Sequence, residues 1–478
     1  MAYTTRHAIN SSHSGRGSIH WKKADRGHYM RPFDPFEETF SSLCHDPVRP
    51  EFRNLDVFLS VGIESASDPN TIIETAKKAW MRMRYLHPSL AAEVTGKSFQ
   101  YVPLETQSDV EKWLEKSFVV KDGEPMADMQ GCIDLSVIPV TENAVLYYFP
   151  ADQKFMLRMS HMFGDGHWVI YFLQELFAEM SRLNSGGQVV QGPLGEEVHN
   201  LASSAFDAAG ITMLPDPWST KAQSLLPQPQ ASKPAFEIPC INNALPPGAG
   251  KIQSLDFSED ETSSLLKASR TMGLGITTFL HTAFIHAARE ISPSSDSKVH
   301  STVLIFSFRD QCIGLPPYAH DRGSSPRIGF WPVQVDISDD FHRTARRLKH
   351  EYEVLARQKP AVLATMVPHL QRSIPILSDE HFRGILPSFI GNIPATALPN
   401  NYNFFKVRDF CMVAVPANER IYLGVMTFKN KLSINIAYNQ TYHSDEQIAG
   451  YLGQIKREIY EGVMSEIGQL RFLSTARL

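Results

Sequence analysis

The sequence predicts an α/β protein built in two lobes, on three observations. Its 478 residues exceed one ordinary core, at about 100–200 residues per domain. Stretches that alternate apolar and polar residues, as strands do, are interspersed along the whole chain with stretches of 3.6-residue periodicity, as helices require. Between 185 and 250 both periodicities fade while Pro, Gly, Ser and Asn rise, as in Pro227-Gln228-Pro229 and Pro246-Pro247-Gly248-Ala249-Gly250. The boundaries that follow are an N-terminal lobe at 1–195, an interlobe crossover at 196–250 and a C-terminal lobe at 251–478.

In the first lobe, 33–43 carries several aromatic residues and an acidic pair and is expected to lie against the lobe. Residues 54–63 alternate as a strand, and Asn70 or Thr71 is placed to cap a helix through Ile72, Ala76, Ala79, Trp80 and Met83. That helix should stop before His87-Pro88, because proline disfavours helical geometry in the residue preceding it. Short strands are expected at 90–94 and 99–102 and a helix at 110–118. Residues 144–149 should then pair with 154–161 across the turn Pro150-Ala151-Asp152-Gln153.

In the second lobe, 252–257 reads as a strand, and Ser258 as the cap of a helix through Leu265, Leu266 and Ala268. Thr277 caps or begins another helix, small and apolar enough to be buried, in which His281 and His286 read as core or rim histidines. Strands are expected at 301–308, ending in Arg309, and at 328–337, 388–393, 408–415, 421–427 and 431–438. A helix over 445–461 closes the chain, with Ser444 and Gln447 spaced as a capping box.

Composition narrows the function. Apolar residues make up 43% and charged residues 20%, as in ordinary globular proteins. Forty-six basic against fifty-one acidic residues give a formal charge of −5, which lacks the basic excess of a nucleic-acid groove. Cys44, Cys132, Cys240, Cys312 and Cys411 are odd in number and never form a C-x-x-C pair, against a disulfide framework or structural zinc and in favour of a reducing compartment. No run of about 18 apolar residues marks a membrane span, and residues 1–30 lack the apolar core of a signal peptide. A cytoplasmic monomer is therefore expected. Ala476-Arg477-Leu478 imitates the peroxisomal S-K-L signal and leaves that address open.

One stretch reads as chemistry. Phe155, Leu157, Met159 and His161 alternate with Met156, Arg158 and Ser160, so a strand ending at His161 carries the imidazole on its apolar face. Gly164 and Gly166 then permit a tight backbone path, and Val169, Phe172, Leu173, Leu176, Phe177, Met180 and Leu183 fall on one helical face. In this H-x-x-x-D-G spacing the imidazole has the ordinary pKa, about 6.5, suited to proton transfer, while Asp165 can brace the loop by pairing with a cation or a backbone amide. Spacing alone leaves a second reading open, a buried hydrogen-bonded histidine beside a turn aspartate. No G-x-S-x-G elbow, H-E-x-x-H or phosphate-cradling glycine loop is present, so serine-nucleophile, metal and nucleotide-hydrolysis chemistries find no support. Arg322 and Arg327 read as solvated loop charges, with contact to the phosphates of a ligand as the sharper alternative.

Taken together, the helix ending in Leu86-His87-Pro88-Ser89-Leu90, the His161/Asp165/Gly166 motif, the Pro-rich crossover, the helix over 277–288, the strand ending at Arg309 and the late strand at 432–438 resemble the CoA-dependent acyltransferase superfamily. That superfamily includes chloramphenicol acetyltransferase, the plant BAHD acyltransferases and the condensation domains of peptide synthetases, and the likeness is strongest to fungal trichothecene-type O-acetyltransferases. The resemblance implies two similar lobes, each a mainly β sheet flanked by helices, with a tunnel between them and His161 midway along it. It implies that Asp165 points away from substrate and pairs with Arg309 as a brace; a solvated strand-end arginine is the alternative. Ser388-Phe389-Ile390-Gly391 resembles a pocket-lining strand, so that Ser388 or Asn392 would donate to an oxyanion, unless both are ordinary strand-end polarity.

The activity so implied is transfer of an acyl group, acetyl foremost, from a CoA thioester to a hydroxyl of a specialised metabolite, with His161 as general base. Acyl-CoA is then a co-substrate, and no bound cofactor, metal, nucleic acid or membrane is expected. Two departures bear on the alternatives. Condensation domains carry a second histidine where Ser160 stands, and the plant D-F-G-W-G string is represented only by Asp409-Phe410-Cys411-Met412-Val413. A stand-alone condensation-type enzyme that takes its acyl group from a carrier protein, and a protein of the same fold recruited for a reaction such as cyclisation, stay open.

Overall fold

The computed structural model describes residues 20–44, 55–122, 143–189, 192–210, 236–242, 246–292, 296–312, 323–364 and 385–475. The architecture is mixed α/β. A five-stranded sheet runs in the order Lys406–Val415, Asp56–Glu64, Lys154–Ser160, Val145–Phe149, Phe118–Val120, and a four-stranded sheet in the order Leu386–Ile393, Tyr422–Phe428, Lys431–Asn439, Gly250–Asp256. Val299–Ser307 and Ile328–Asp336 form a separate antiparallel pair, and a small sheet of Lys22–Lys23, Tyr29–Pro32, Ser98–Tyr101 and Glu93–Thr95 lies beside the first core.

The hairpin expected at 144–161 forms as Val145–Phe149 against Lys154–Ser160, turning at residues 150–153. The alternation expected along its second strand does not appear. Met156, Arg158 and Ser160 are buried as fully as Phe155, Leu157 and Met159, because the strand is central and its sheet is covered on both faces. Phe155, Leu157 and Met159 join a core with Trp80, Trp168 and Phe172, while Met156 packs with Phe58, Val145, Tyr147 and Val413 on the other face. Arg158 is tolerated there because its Nε and a terminal nitrogen reach Asp56 Oδ2 at 2.9 and 2.8 Å.

A second core gathers Phe279, Phe284, Leu423, Ile434, Ile436 and Tyr451 between the four-stranded sheet and the helices Ile276–Ile291 and Asp445–Thr475. The chain does not divide its sheets at residue 250. Lys406–Val415 returns to pair antiparallel with Asp56–Glu64 from Val415 opposite Asp56 to Lys406 opposite Glu64, fastening the late sequence to the early sheet.

Local differences from the sequence reading have local causes. Asp68, rather than Asn70 or Thr71, caps the helix Pro69–Leu86, accepting from the amides of Asn70 and Thr71 with Pro69 at the first helical position. That helix stops at Leu86, before His87-Pro88. In place of a strand over 90–94, Pro88–Ala91 forms a 3-10 turn and only Glu93–Thr95 is extended. Ser258 caps Glu259–Thr271 in a full capping box with Glu261. At the last helix Ser444 Oγ accepts from the Gln447 amide at 3.1 Å, but the Gln447 side chain donates to the Pro239 carbonyl instead of completing the box. That helix continues from Asp445 to Thr475, past the expected stop at 461.

Of the crossover at 196–250, the turn Glu196–Asn200 and the short helix Ala205–Ala208 are described, while 211–235 and 243–245 lie outside the described residues. So do Cys132, Arg322 and the tripeptide Ala476-Arg477-Leu478. Among the described residues no helix is long and apolar enough to cross a membrane.

Candidate active site

His161 begins a turn rather than ending a strand. Lys154–Ser160 stops one residue earlier, and Ser160 Oγ accepts from the Met162 amide at 3.3 Å, starting the 3-10 turn His161–Phe163. The His161 amide donates to the Leu55 carbonyl at 3.2 Å, and the Leu55 amide donates in turn to the Val415 carbonyl at 3.1 Å. Leu55 makes this link at φ 60°, in the left-handed region, where a branched side chain costs about 1–2 kcal/mol. The edge of His161 meets the ring of Phe40 at 5.2 Å between centroids. Nδ1 is buried with no hydrogen bond of full geometry, and the residue lines a cavity. Burial pushes the His161 pKa below its ordinary value of 6.5, against a partial counter-pull from the carbonyls of His161 and Gly164 and the Asp165 charge. The imidazole is therefore neutral at pH 7.

Asp165 holds the next step of the chain. It caps the helix Gly166–Asn184, its Oδ1 accepting from the Trp168 amide at 3.0 Å. Its carboxylate also meets Arg309 at two points, Nε to Oδ1 at 3.2 Å and a terminal nitrogen to Oδ2 at 2.8 Å, with both side chains buried. Arg309, in the turn Arg309–Gln311 just past its strand, is thus no solvated strand-end arginine. Burial alone would raise the Asp165 pKa, but Arg309 and the amides of Arg327 and Trp168 outweigh it and bring it down to about 2.

Sequence reasoning missed the other half of this brace. The Arg327 amide donates to Asp165 Oδ2 at 2.7 Å, Ser324 Oγ donates to the Phe163 carbonyl at 2.7 Å, and Arg309 donates to the Ser325 carbonyl at 3.3 Å. The motif loop is thereby clamped from residues 324–327. Arg327 is fully buried, its guanidinium donating to Ser325 Oγ and the Ser203 carbonyl, which corrects its reading as a solvated loop charge or a phosphate contact. No residue pattern announced this, since the contacts to the motif loop and to Ser203 join segments more than 120 residues apart.

The two motif glycines are needed for space, not for backbone freedom. Gly164 has φ 174°, an extended value open to any residue. A Cβ on Gly164 would lie 2.4 Å from Cε3 of the Trp168 ring, and one on Gly166 2.8 Å from the terminal methyls of Ile390 and Met412, which would have to move aside.

His161 lines a cavity of about 110 Å³. Phe40, Leu43 and Leu55 contribute from the early chain, Ile305, Phe306, Ile328 and Phe330 from the antiparallel pair, and Leu386, Phe389 and Ile390 from the second sheet. Its polar lining is His161, Asp165, His167, Ser307, Ser388, Arg420 and Tyr422. His167 is therefore on the cavity wall.

The structure separates Ser388 from Asn392. In a regular strand, residues four apart share a face, which would set both on one wall. The ladder between Leu386–Ile393 and Tyr422–Phe428 instead shifts between Phe389 and Gly391, where Gly391 takes φ +85°. That extra residue turns the later half over, so Ser388 lines the His161 cavity while exposed Asn392 lines a second one of about 520 Å³, near Glu259, Arg270 and Thr277. Asn392, expected with Ser388 as a candidate oxyanion donor, is thus away from the His161 cavity, and Phe389 forms a wall common to both cavities.

The fold is that of O-acetyltransferases and condensation domains of known structure. Comparison with solved structures shows it directly. The TRI3 trichothecene 15-O-acetyltransferase of Fusarium sporotrichioides superposes with a TM-score of 0.75 at 15% identity, over 93% of this chain and 97% of that one. The first condensation domain of the calcium-dependent antibiotic synthetase gives 0.63 at 12% identity, over 90% and 95%. By sequence, the acetyltransferase pigO of Monascus ruber is 21% identical over 89% of this chain and 94% of its own length, and the O-acetyltransferase pigM of the same organism 20% over 94% and 88%. No family model matches the chain.

Proposed function

We propose that this protein is an O-acyltransferase that moves a short acyl group, acetyl foremost, from a CoA thioester to a hydroxyl of a small specialised metabolite, in a tunnel between two lobes. The observation that carries the reading is a buried imidazole, its pKa lowered by burial, on the wall of a largely apolar cavity and on a loop clamped by Asp165 and Arg309. Full-length likeness to proteins named as acetyltransferases supports it.

In this reading His161 Nε2 takes the proton of the acceptor hydroxyl as its oxygen attacks the thioester carbonyl. General-base help of this kind is worth about 100- to 10,000-fold. The tetrahedral species collapses with loss of the C–S bond, and the thiolate, a good leaving group at a pKa of about 8.5, receives the proton back from His161. No covalent enzyme intermediate is needed. Ser388, on the cavity wall, would serve in this reading as a donor to the oxyanion. Asp165 is occupied by Arg309 and two amides, so its part is to hold the His161 turn and not to move protons.

Likeness to a condensation domain keeps one second reading, an acyl donor tethered to a carrier protein. Ser160, where those domains carry a histidine, weighs against it. Purified protein with acetyl-CoA and a panel of small alcohols, followed by release of free CoA and by mass of the product, tests the proposal. Product formed only with an acyl-carrier protein would transfer it to the second reading.

A further inference from the structure

A histidine that serves as a base is ordinarily oriented by a hydrogen bond made through its other ring nitrogen, often to a carboxylate. His161 has no such side-chain holder among the described residues. Its Nδ1 makes no hydrogen bond of full geometry, and the imidazole draws only on the carbonyls of its own residue and of Gly164. The motif carboxylate is engaged elsewhere, Asp165 Oδ1 by the Trp168 amide and Arg309 Nε, Oδ2 by the Arg327 amide and a terminal nitrogen of Arg309. What does meet the imidazole is Phe40, edge to face at 5.2 Å between centroids and 79° between planes, the one ring contact of His161 among the described residues.

Phe40 is itself fixed from several sides. On the helix Pro35–Cys44 it follows Phe36 by one turn, and the two rings stack at 5.5 Å and 10°. Phe330, also on the cavity wall, stacks on it at 6.2 Å and 24°. Phe36 in turn meets Phe308, the residue before Arg309, edge to face at 6.4 Å and 89°. A buried polar set pins the start of the helix. The Glu37 amide donates to Asp34 Oδ1 at 2.7 Å and the Asp34 amide to Glu37 Oε2 at 3.0 Å, a reciprocal cap. Both Glu37 oxygens also accept from Arg31, at 2.7 and 2.8 Å, and Asp34 Oδ2 accepts from the Phe206 amide at 2.9 Å.

We propose that Phe40 is a positioning residue for His161: its ring, in place of a side-chain hydrogen bond, sets the plane of the imidazole and keeps water from it. Charge does not explain the state of this histidine. The titratable groups that line the cavity with it are Asp165, His167, Arg420 and Tyr422, with Arg309 behind Asp165, and the helix under Phe40 adds Glu37 and Glu38, paired with Arg31 and Lys97. Of these only Asp165 pulls on the His161 pKa, and it pulls upward, so the downward push comes from burial. Phe40, buried and on the cavity wall, is part of that cover. This inference rests on the acyl-transfer reading, in which a base displaced by about 1 Å loses about a hundred-fold in rate, so a ring that holds it acts on kcat more than on binding.

The test reads the imidazole directly. NMR titration of the full chain, with the His161 signal assigned by its loss in His161→Ala, should show a pKa below 6.5 in wild type. In Phe40→Ala it should rise toward the ordinary value by about 0.5 or more, as water reaches the ring. In turnover, kcat of Phe40→Ala should fall about ten-fold or more, KM for the thioester should stay within about three-fold, and the acid limb of kcat/KM should move up with the NMR value. Phe40→Leu keeps an apolar cover without the flat face and should fall between the two in both readouts; it carries the test if Phe40→Ala folds poorly. A His161 pKa that coincides with wild type in the folded variant, or a kcat within two-fold of wild type, overturns the proposal. A pKa that follows residue 40 in a protein that turns over no thioester would sink the proposed function and leave the hold of Phe40 on the imidazole standing.

Discussion

Asp165→Asn should destabilise the fold far more than its near-identical shape suggests. Each carboxylate oxygen receives two donors: Oδ1 takes the Trp168 amide and Arg309 Nε, while Oδ2 takes the Arg327 amide and a terminal nitrogen of Arg309. Whichever way the new amide is turned, its NH₂ faces two donors, and the buried guanidinium loses its counter-charge. Removing one member of a buried pair typically costs about 3–5 kcal/mol, the magnitude expected here and again for Arg309→Leu. The double variant has no orphaned charge, so the losses should not add, with a coupling of about 2 kcal/mol or more. Urea unfolding followed by tryptophan fluorescence provides the assay, since Trp168 lies on the same turn. Losses that add to within about 0.5 kcal/mol would show that the brace does not work as a unit and would refute the reasoning.

Three further outcomes follow from the same structure. Because burial lowers the His161 pKa, kcat/KM should be flat from pH 8 down past 6.5 and fall only below it; a free-enzyme pKa at or above 6.5 would contradict a buried neutral base. Buried His281 and His300 are held down to about 3, so between roughly pH 6.5 and 4 the unfolded chain binds more protons than the fold. Each histidine then removes about 1.4 kcal/mol of stability per pH unit as the pH falls, and His281→Asn should flatten the dependence by about one such increment; unchanged pH dependence rules this out. Gly164→Val should stall the motif, since its Cβ alone would lie 2.4 Å from the ring of fully buried Trp168; an active, equally stable variant would show that the close approach is not needed.

What could be read from the sequence was local, or was a whole pattern of order and spacing. The helix stopping at Leu86, the Ser258 capping box and the hairpin before the motif are written in neighbouring residues and appear nearly as expected. The meeting of Asp165 with Arg309 was implied by the family resemblance that the order of motifs carries. Burial on both faces of Lys154–Ser160 was hidden, because the strand's place at the centre of a sheet depends on Asp56–Glu64 and on Lys406–Val415 beyond it. Likewise hidden were the bulge that parts Ser388 from Asn392, the left-handed Leu55, and the clamp from Ser324 and Arg327. Each results from pairing between distant segments, which single-chain periodicity does not encode.

The most direct test of the central claim is free-CoA release from acetyl-CoA and a competent hydroxyl acceptor, in wild type and His161→Ala, with no partner protein added. Acyl transfer by wild type, and a loss of about 100-fold or more in the variant at a nearly unchanged melting temperature, is the predicted result. A variant that keeps more than about a tenth of wild-type turnover would contradict His161 as the base. Transfer that requires an acyl-carrier protein would contradict CoA as the donor.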